Sequence, residues 1–131
     1  MDLKMTFPGG VKVNAQIGDH TIKTDQPLYS GGDDSAPSPF MLFIASMGTC
    51  AGYYVLSYCQ QHNLPVEGIT LDLSTQKNTE TGLINAIDIS INVPESFPAK
   101  YHTALVRSAE QCTVKKHLEN PPKIDVHTVI G

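Results

Sequence analysis

Three cysteines, Cys50, Cys59 and Cys112, are the residues of this 131-residue chain best suited to covalent chemistry. A thiolate is a nucleophile and a reductant, and two thiols in reach of each other can cycle through a disulfide. Cys50 and Cys59 fall in one long apolar stretch that reads as a helix. Nine residues at about 100° each point them in opposite directions. Beside Cys59 lie Ala45, Gly48, Gly52 and Val55, so Cys59 reads as a small buried hydrophobe on a packing stripe. Beside Cys50 lie Phe43, Ser46, Met47, Tyr54, Ser57 and Gln61. That mixture of polar donors and apolar bulk suits the wall of a pocket for an amphipathic ligand, although core packing is an equal reading of Cys50 on position alone. Cys112 sits where one helix ends and a short one begins, ahead of Thr113-Val114-Lys115-Lys116. A helix N-terminus and two lysines favour thiolate there, while a buried cysteine closing an apolar stripe is the competing reading.

The elements that must position these thiols are legible in the hydrophobic pattern. Leu3, Met5 and Phe7 alternate with polar residues, as do Val11, Val13, Ala15 and Ile17, and His20–Thr24 follows a Gly18-Asp19 turn. This is a meander of three strands. Ser38 as N-cap and Pro39 at the first helical position open the long helix, which should run to about Asn63 before Leu64-Pro65. The alternating runs Ile69–Leu73 and Ile87–Val93 make a hairpin. Pro98 starts a second helix with Tyr101, Ala104, Leu105, Ser108, Ala109 and Cys112 on one face. A helical turn with Val114 and Leu118 follows, and Ile124, Val126, Thr128 and Ile130 read as a last strand. The order β-β-β-α-β-β-α-(α)-β is an α+β plan, and the length argues for a single domain, residues 1–131.

Composition narrows the function. Nine Lys+Arg against thirteen Asp+Glu give a net charge of −4, with Arg107 the only arginine. No nucleic-acid partner is expected from that balance. An odd cysteine count in a chain too large to need a disulfide framework, and a start without an apolar leader, point to the cytoplasm. Residues 35–66 carry no formal charge, and the helix is long enough for a bilayer. Its serines, tyrosines and lack of basic flanks favour instead a buried helix, apolar nearly all round, and no membrane. Cys59 with His62 and Cys112 with His117 are conceivable metal ligands, but neither spacing is a zinc pattern. The five histidines read as solvated surface residues, and the paired glycines lack any nucleotide-binding partner motif. No cofactor is expected.

The run Pro39-Phe-Met-Leu-Phe-Ile-Ala-Ser-Met-Gly-Thr-Cys50 resembles the P-x-x-L-x-x-A-x-x-x-C helix of the OsmC/Ohr superfamily, the osmotically inducible and organic hydroperoxide resistance proteins. Ala109-Glu-Gln-Cys112-Thr-Val114, with Leu118 downstream, resembles its second signature, usually written Cys-Pro-Val. The resemblance implies the OsmC-like fold as an intertwined homodimer with the long helices back to back. It also implies a thiol-dependent peroxidase that reduces organic hydroperoxides. Cys50 would be the peroxidatic thiolate, Cys112 the resolving thiol, and a dithiol partner the reductant. Phe43, Ser46, Met47 and Tyr54 are the expected substrate-pocket residues. The chain departs from the pattern where relatives carry a Glu, which here is Phe40 or Met41, and where the N-terminal strands supply an Arg. Lys12 and Lys23 are the candidate replacements, each a point charge without Arg's planar fork. Those departures motivate a second reading, a non-catalytic dimer binding a small apolar ligand near Cys50.

Overall fold

The computed structural model describes residues 1–131 in two compact units, 1–45 and 46–131. In the first, β1 (Lys4–Gly9), β2 (Lys12–Ile17) and β3 (His20–Thr24) form an antiparallel sheet in the order β1-β2-β3. Met5 opposes Ala15 and Ala15 opposes Ile22, so one face of the meander is apolar; Met5, Phe7 and Ile22 on it are exposed. Gly18 takes φ 56° at the first position of the β2–β3 turn, where the primed hairpin turns require a left-handed residue. The segment after β3 is organised by Asp25, whose buried carboxylate accepts the backbone N–H groups of Gln26, Asp33 and Ser35 and the Ser35 hydroxyl. Gly32 lies so close to the Gln26 carbonyl that a Cβ on it would stand 1.9 Å from the oxygen.

Helix α1 spans Pro39–Gln61. Ser38 Oγ accepts the Met41 N–H at 3.3 Å, the cap expected of a serine before a helical proline. At the other end Asn63 turns left-handed, φ 52°, and the Leu64 N–H returns to the Cys59 carbonyl at 2.8 Å. That six-to-one bond is a Schellman closure, and Leu64 packs on the core beneath it.

In the second unit β4 (Thr70–Lys77) and β5 (Ile84–Asn92) pair antiparallel, from Thr70 opposite Asn92 to Lys77 opposite Ile84. The Asn78 side chain closes the connection by accepting the Glu80 and Thr81 N–H groups. A short 3-10 turn over Ala99–Tyr101 leads into α2 (His102–Ala109), and α3 (Thr113–Glu119) follows. Val55, Cys59, Phe97 and Leu105 form the core, flanked by Leu71, Ile91, Val93 and Tyr101 among others.

Three expectations change. The second helix does not run continuously from Pro98 to Cys112; it begins at His102, and Cys112 becomes the N-cap of α3. The last strand does not form: residues 121–131 carry no regular structure, and Ile124, Val126 and Ile130 are exposed. A strand's amides need a neighbouring ladder, and no edge of this chain pairs with that segment. Finally, α1 is not buried all round. Its buried residues are the single stripe Met47, Ala51, Val55 and Cys59, while Phe40, Met41, Tyr53 and Leu56 are exposed. Two thin layers cover only one face of a helix this long. By length and composition alone α1, with mean hydropathy 1.4, also meets the requirement for crossing a membrane.

Candidate active site

Helical geometry brings the two thiols together. Met47 and Cys50 are one turn apart on α1, and a helical Cα–Cβ bond leans towards the N-terminus, so the Cys50 sulfur lies over the Met47 turn. The sulfur of Cys112, only 3 % exposed at the start of α3, lies 3.8 Å from the Met47 carbonyl oxygen. Cys50 and Cys112 are both free thiols, and each acts on the other's ionisation.

Their surroundings differ in sign. Burial pushes the half-buried Cys50 thiol up, but that cost is outweighed by its hydrogen bonds. The Val114 amide, the Cys112 thiol, and the amide and hydroxyl of Thr113 together hold Cys50 below the ordinary cysteine value. Burial pushes Cys112 above it; the Lys115 amide opposes the rise, and the hydrogen bond and charge of Cys50 add to it. The first turn of α3 therefore contributes N–H groups to both sulfurs, and of the two thiols Cys50 is the more readily ionised. Cys59, raised by burial alone, stays in the core where the sequence put it.

An apolar cavity of about 530 Å³ opens beside Cys112, walled by Met47 and Ala51 of α1 and by Ile87, Ile89 and Ile91 of β5. Glu110 and Lys115 are its charged lining groups. Of the expected pocket residues only Met47 lines it. Ser46 and Tyr54 lie on the Cys50 stripe of α1 rather than the Met47–Ala51 stripe, and Phe43 belongs to the first unit, its ring 5.8 Å from that of Phe40. The wall is instead the alternating isoleucine face of β5, whose pattern was plain in the sequence although its destination was not. Tyr54 has a different neighbour: its hydroxyl lies 3.3 Å from Thr113 Oγ1. Neither Thr113 contact was anticipated, and the only sequence signal was a hydroxyl residue directly after Cys112.

Each candidate cation has its own setting. Lys12 Nζ is 2.6 Å from Asp33 and 4.0 Å from Asp25, Lys23 is exposed on β3, and Arg107 is exposed in the last turn of α2. All five histidines are exposed; His62 stacks on Tyr58, with centroids 4.0 Å apart. No cluster of three or more His, Cys, Asp or Glu side chains is arranged to hold a metal ion.

Two free thiols, one buried and one half-buried, belong to an α+β chain of this element order. Residues 32–127 match the family model described as OsmC-like protein, and the chain belongs to that family. Among solved structures it is similar to a protein from Psychrobacter arcticus 273-4 named for osmotic stress induction and detoxification response. That likeness has a TM-score of 0.73 at 21% identity and covers 87% of this chain and 85% of that one. It is also similar to the organic hydroperoxide resistance protein OhrB of Bacillus subtilis, with a TM-score of 0.55 at 20% identity, covering 92% and 93%. A third relative is an organic hydroperoxide resistance protein from Vibrio cholerae with captopril bound in one of its active sites. There the TM-score is 0.56 at 17% identity, over 92% and 86% of the two chains. At these identities the likeness establishes the OsmC/Ohr fold. No match was found among curated proteins.

Proposed function

We propose that this protein is a thiol-dependent peroxidase for organic hydroperoxides, with Cys50 as nucleophile and Cys112 as resolving thiol. The observation that carries the reading is the meeting of a lowered-pKa Cys50 with a neutral Cys112 at one site. The Cys50 thiolate attacks the distal oxygen of R–O–O–H; the O–O bond breaks, Cys50 becomes the sulfenic acid, and the departing alkoxide takes a proton to leave as the alcohol. The Cys112 sulfur then attacks the sulfenic sulfur, a disulfide forms and water leaves. A dithiol reductant returns both thiols by exchange. The cavity beside Cys112 is apolar and of ligand size, which suits the organic portion of the hydroperoxide.

The family relationship supports a single OsmC-like domain over residues 1–131 acting as a homodimer in the cytoplasm. Exposed Tyr53 and Leu56 on α1, and the exposed apolar face of the β1–β3 sheet, are surfaces a second copy would cover. The test is hydroperoxide consumption with a dithiol present: wild type turns over, Cys50→Ser does not, and Cys112→Ser completes one oxidation without forming the disulfide. Undiminished turnover by Cys50→Ser would end the proposal.

The position of the cations supports a second reading. The groups that act most strongly on the Cys50 sulfur are amides, a hydroxyl and a thiol, and Lys12 is engaged by Asp33. Under that reading the protein binds a small apolar ligand without turnover. A Cys50 that alkylates no faster than an ordinary exposed thiol and ignores hydroperoxide would favour it.

A further inference from the structure

The start of α3 touches α1 at two places, one on either side of Cys50 along the helix. We propose that Tyr54 is a positioning residue for disulfide closure: its hydroxyl, hydrogen-bonded to Thr113, holds the start of α3 on the Cys50 face of α1 and so presents Cys112 to an oxidised Cys50. The inference rests on the peroxidase reading for the role of Cys112 as resolving thiol; the tether itself is a contact between two helices.

Met47, Cys50 and Tyr54 follow one another at steps of three and four residues, so they share a face of α1, with Cys50 near the middle of a rise of about 10 Å. At the N-terminal end of that span the Cys112 sulfur lies 3.8 Å from the Met47 carbonyl oxygen. At the other end the Tyr54 hydroxyl lies 3.3 Å from Thr113 Oγ1. Cys112 and Thr113 are consecutive, with Cα atoms about 3.8 Å apart, so one short piece of backbone is pinned to α1 on both sides of Cys50. A long helical side chain leans towards the helix N-terminus, which brings the Tyr54 hydroxyl back over the Cys50 turn. Its ring stands edge-on to Tyr53, with centroids 5.3 Å apart, and this limits where the hydroxyl can swing. Apolar packing gives α3 little anchorage, because none of its seven residues is buried. The Cys112 sulfur also accepts the Lys115 N–H at 3.4 Å, a bond that fixes it to α3 rather than to α1. Where that sulfur stands relative to Cys50 therefore follows the placement of α3. The second family signature usually has proline after its cysteine, and a proline offers Tyr54 no hydroxyl; Thr113 makes the tether a property of this chain. Closure is a displacement. The Cys112 sulfur attacks the sulfenic sulfur of Cys50, the S–S bond forms, the S–O bond breaks, and the hydroxyl leaves as water with the Cys112 proton. The two sulfurs must meet at about 2.05 Å, so the rate follows the fraction of time for which the segment is held in place.

The test treats the whole chain with dithiodipyridine, a small aromatic disulfide, so that closure is read without any peroxide. The first thiol to react releases one thiopyridone and carries a mixed disulfide. The second displaces the other thiopyridone and closes the Cys50–Cys112 linkage, which peptide mass mapping assigns. Tyr54→Phe should slow the closing phase about threefold relative to the first phase, as expected for one hydrogen bond lost. In a Thr113→Val background the same substitution should add nothing further. Thr113→Ser keeps the hydroxyl and should close at the wild-type rate. Closure of Tyr54→Phe at the wild-type rate, an equal slowing of both phases, or a Tyr54→Phe effect that persists without the Thr113 hydroxyl overturns the tether. So does a wild-type chain that forms no Cys50–Cys112 linkage. Tyr54→Phe and Thr113→Ser each change one small group at positions outside the core, so the comparison stands even if Thr113→Val folds poorly. The expected closing phases without hydroperoxide consumption would sink only the proposed function. Hydroperoxide turnover with no effect of Tyr54→Phe on closure would sink only this inference.

Discussion

The Asp25 loop and the Cys50 site solve one electrostatic problem in two ways. In each, the ionised form of an acid is favoured by backbone N–H groups and a neighbouring hydroxyl: Gln26, Asp33 and Ser35 at the carboxylate, Thr113 and Val114 at the sulfur. Asp25 is fully buried, has Lys12 at 4.0 Å, and sits well below the usual carboxylate range, held chiefly by the Ser35 hydroxyl and then by the Gln26 amide. Cys50 is only half-buried, and a second thiol acts on it beside the amides and the hydroxyl. Donors of the same kind surround an enclosed carboxylate in one place and an accessible sulfur, the proposed nucleophile, in the other. Access, more than the donor set, separates scaffold from chemistry here.

That contrast can be broken at several points. The largest effect expected is on activity: Cys50→Ser should remove hydroperoxide consumption altogether, whereas Asp25→Asn should act on the thermal midpoint, with unfolding followed by circular dichroism. Next, Gly32→Ala should destabilise by about 1–3 kcal/mol or more, because the added methyl must displace the Gln26 backbone rather than a movable side chain. Urea unfolding of that variant measures it; an unchanged midpoint would mean the loop is not the fixed cradle described above.

The two anions should also part in their pH dependence. Asp25 has a lowered pKa, so its contribution to stability is present above the ordinary value of 3.8 and is lost as pH falls through the depressed one. The stability gap between wild type and Asp25→Asn should therefore be steady from about pH 5 to 8 and shrink under acid. Cys50 is likewise lowered from 9.0, so its contribution is complete above that value and is lost as pH falls through the depressed value. The gap between wild type and Cys50→Ser should accordingly widen with pH up to about 9. The smallest effect is at Cys59: as a raised-pKa core thiol it should be the last to alkylate in native protein, and Cys59→Ala should cost about 1 kcal/mol.

Much of this was readable in the amino-acid order. The Ser38-Pro39 cap, the β1–β3 meander, the β4–β5 hairpin and the core role of Cys59 each follow from patterns within a few residues, where propensity and period act locally. The closing strand failed for the complementary reason. Ile124 to Ile130 alternate as a strand should, but alternation states a preference and cannot supply the neighbouring ladder. The cavity beside Cys112 has a wall the helix pattern did not name: a helical wheel shows which side chains share a face, and only the arriving partner decides which face becomes a wall. Here β5 met the Met47–Ala51 stripe, and α3 met the Cys50 stripe.

The sequence by itself determined the elements, the family and the two thiols at issue, because these are encoded in spacing along the chain. Tertiary structure alone decided that the amides of Thr113 and Val114 act on a sulfur more than sixty residues earlier, and that Tyr54 meets Thr113. A pKa depends on the dipoles within a few ångströms of the ionising atom, and no one-dimensional pattern specifies which dipoles those will be.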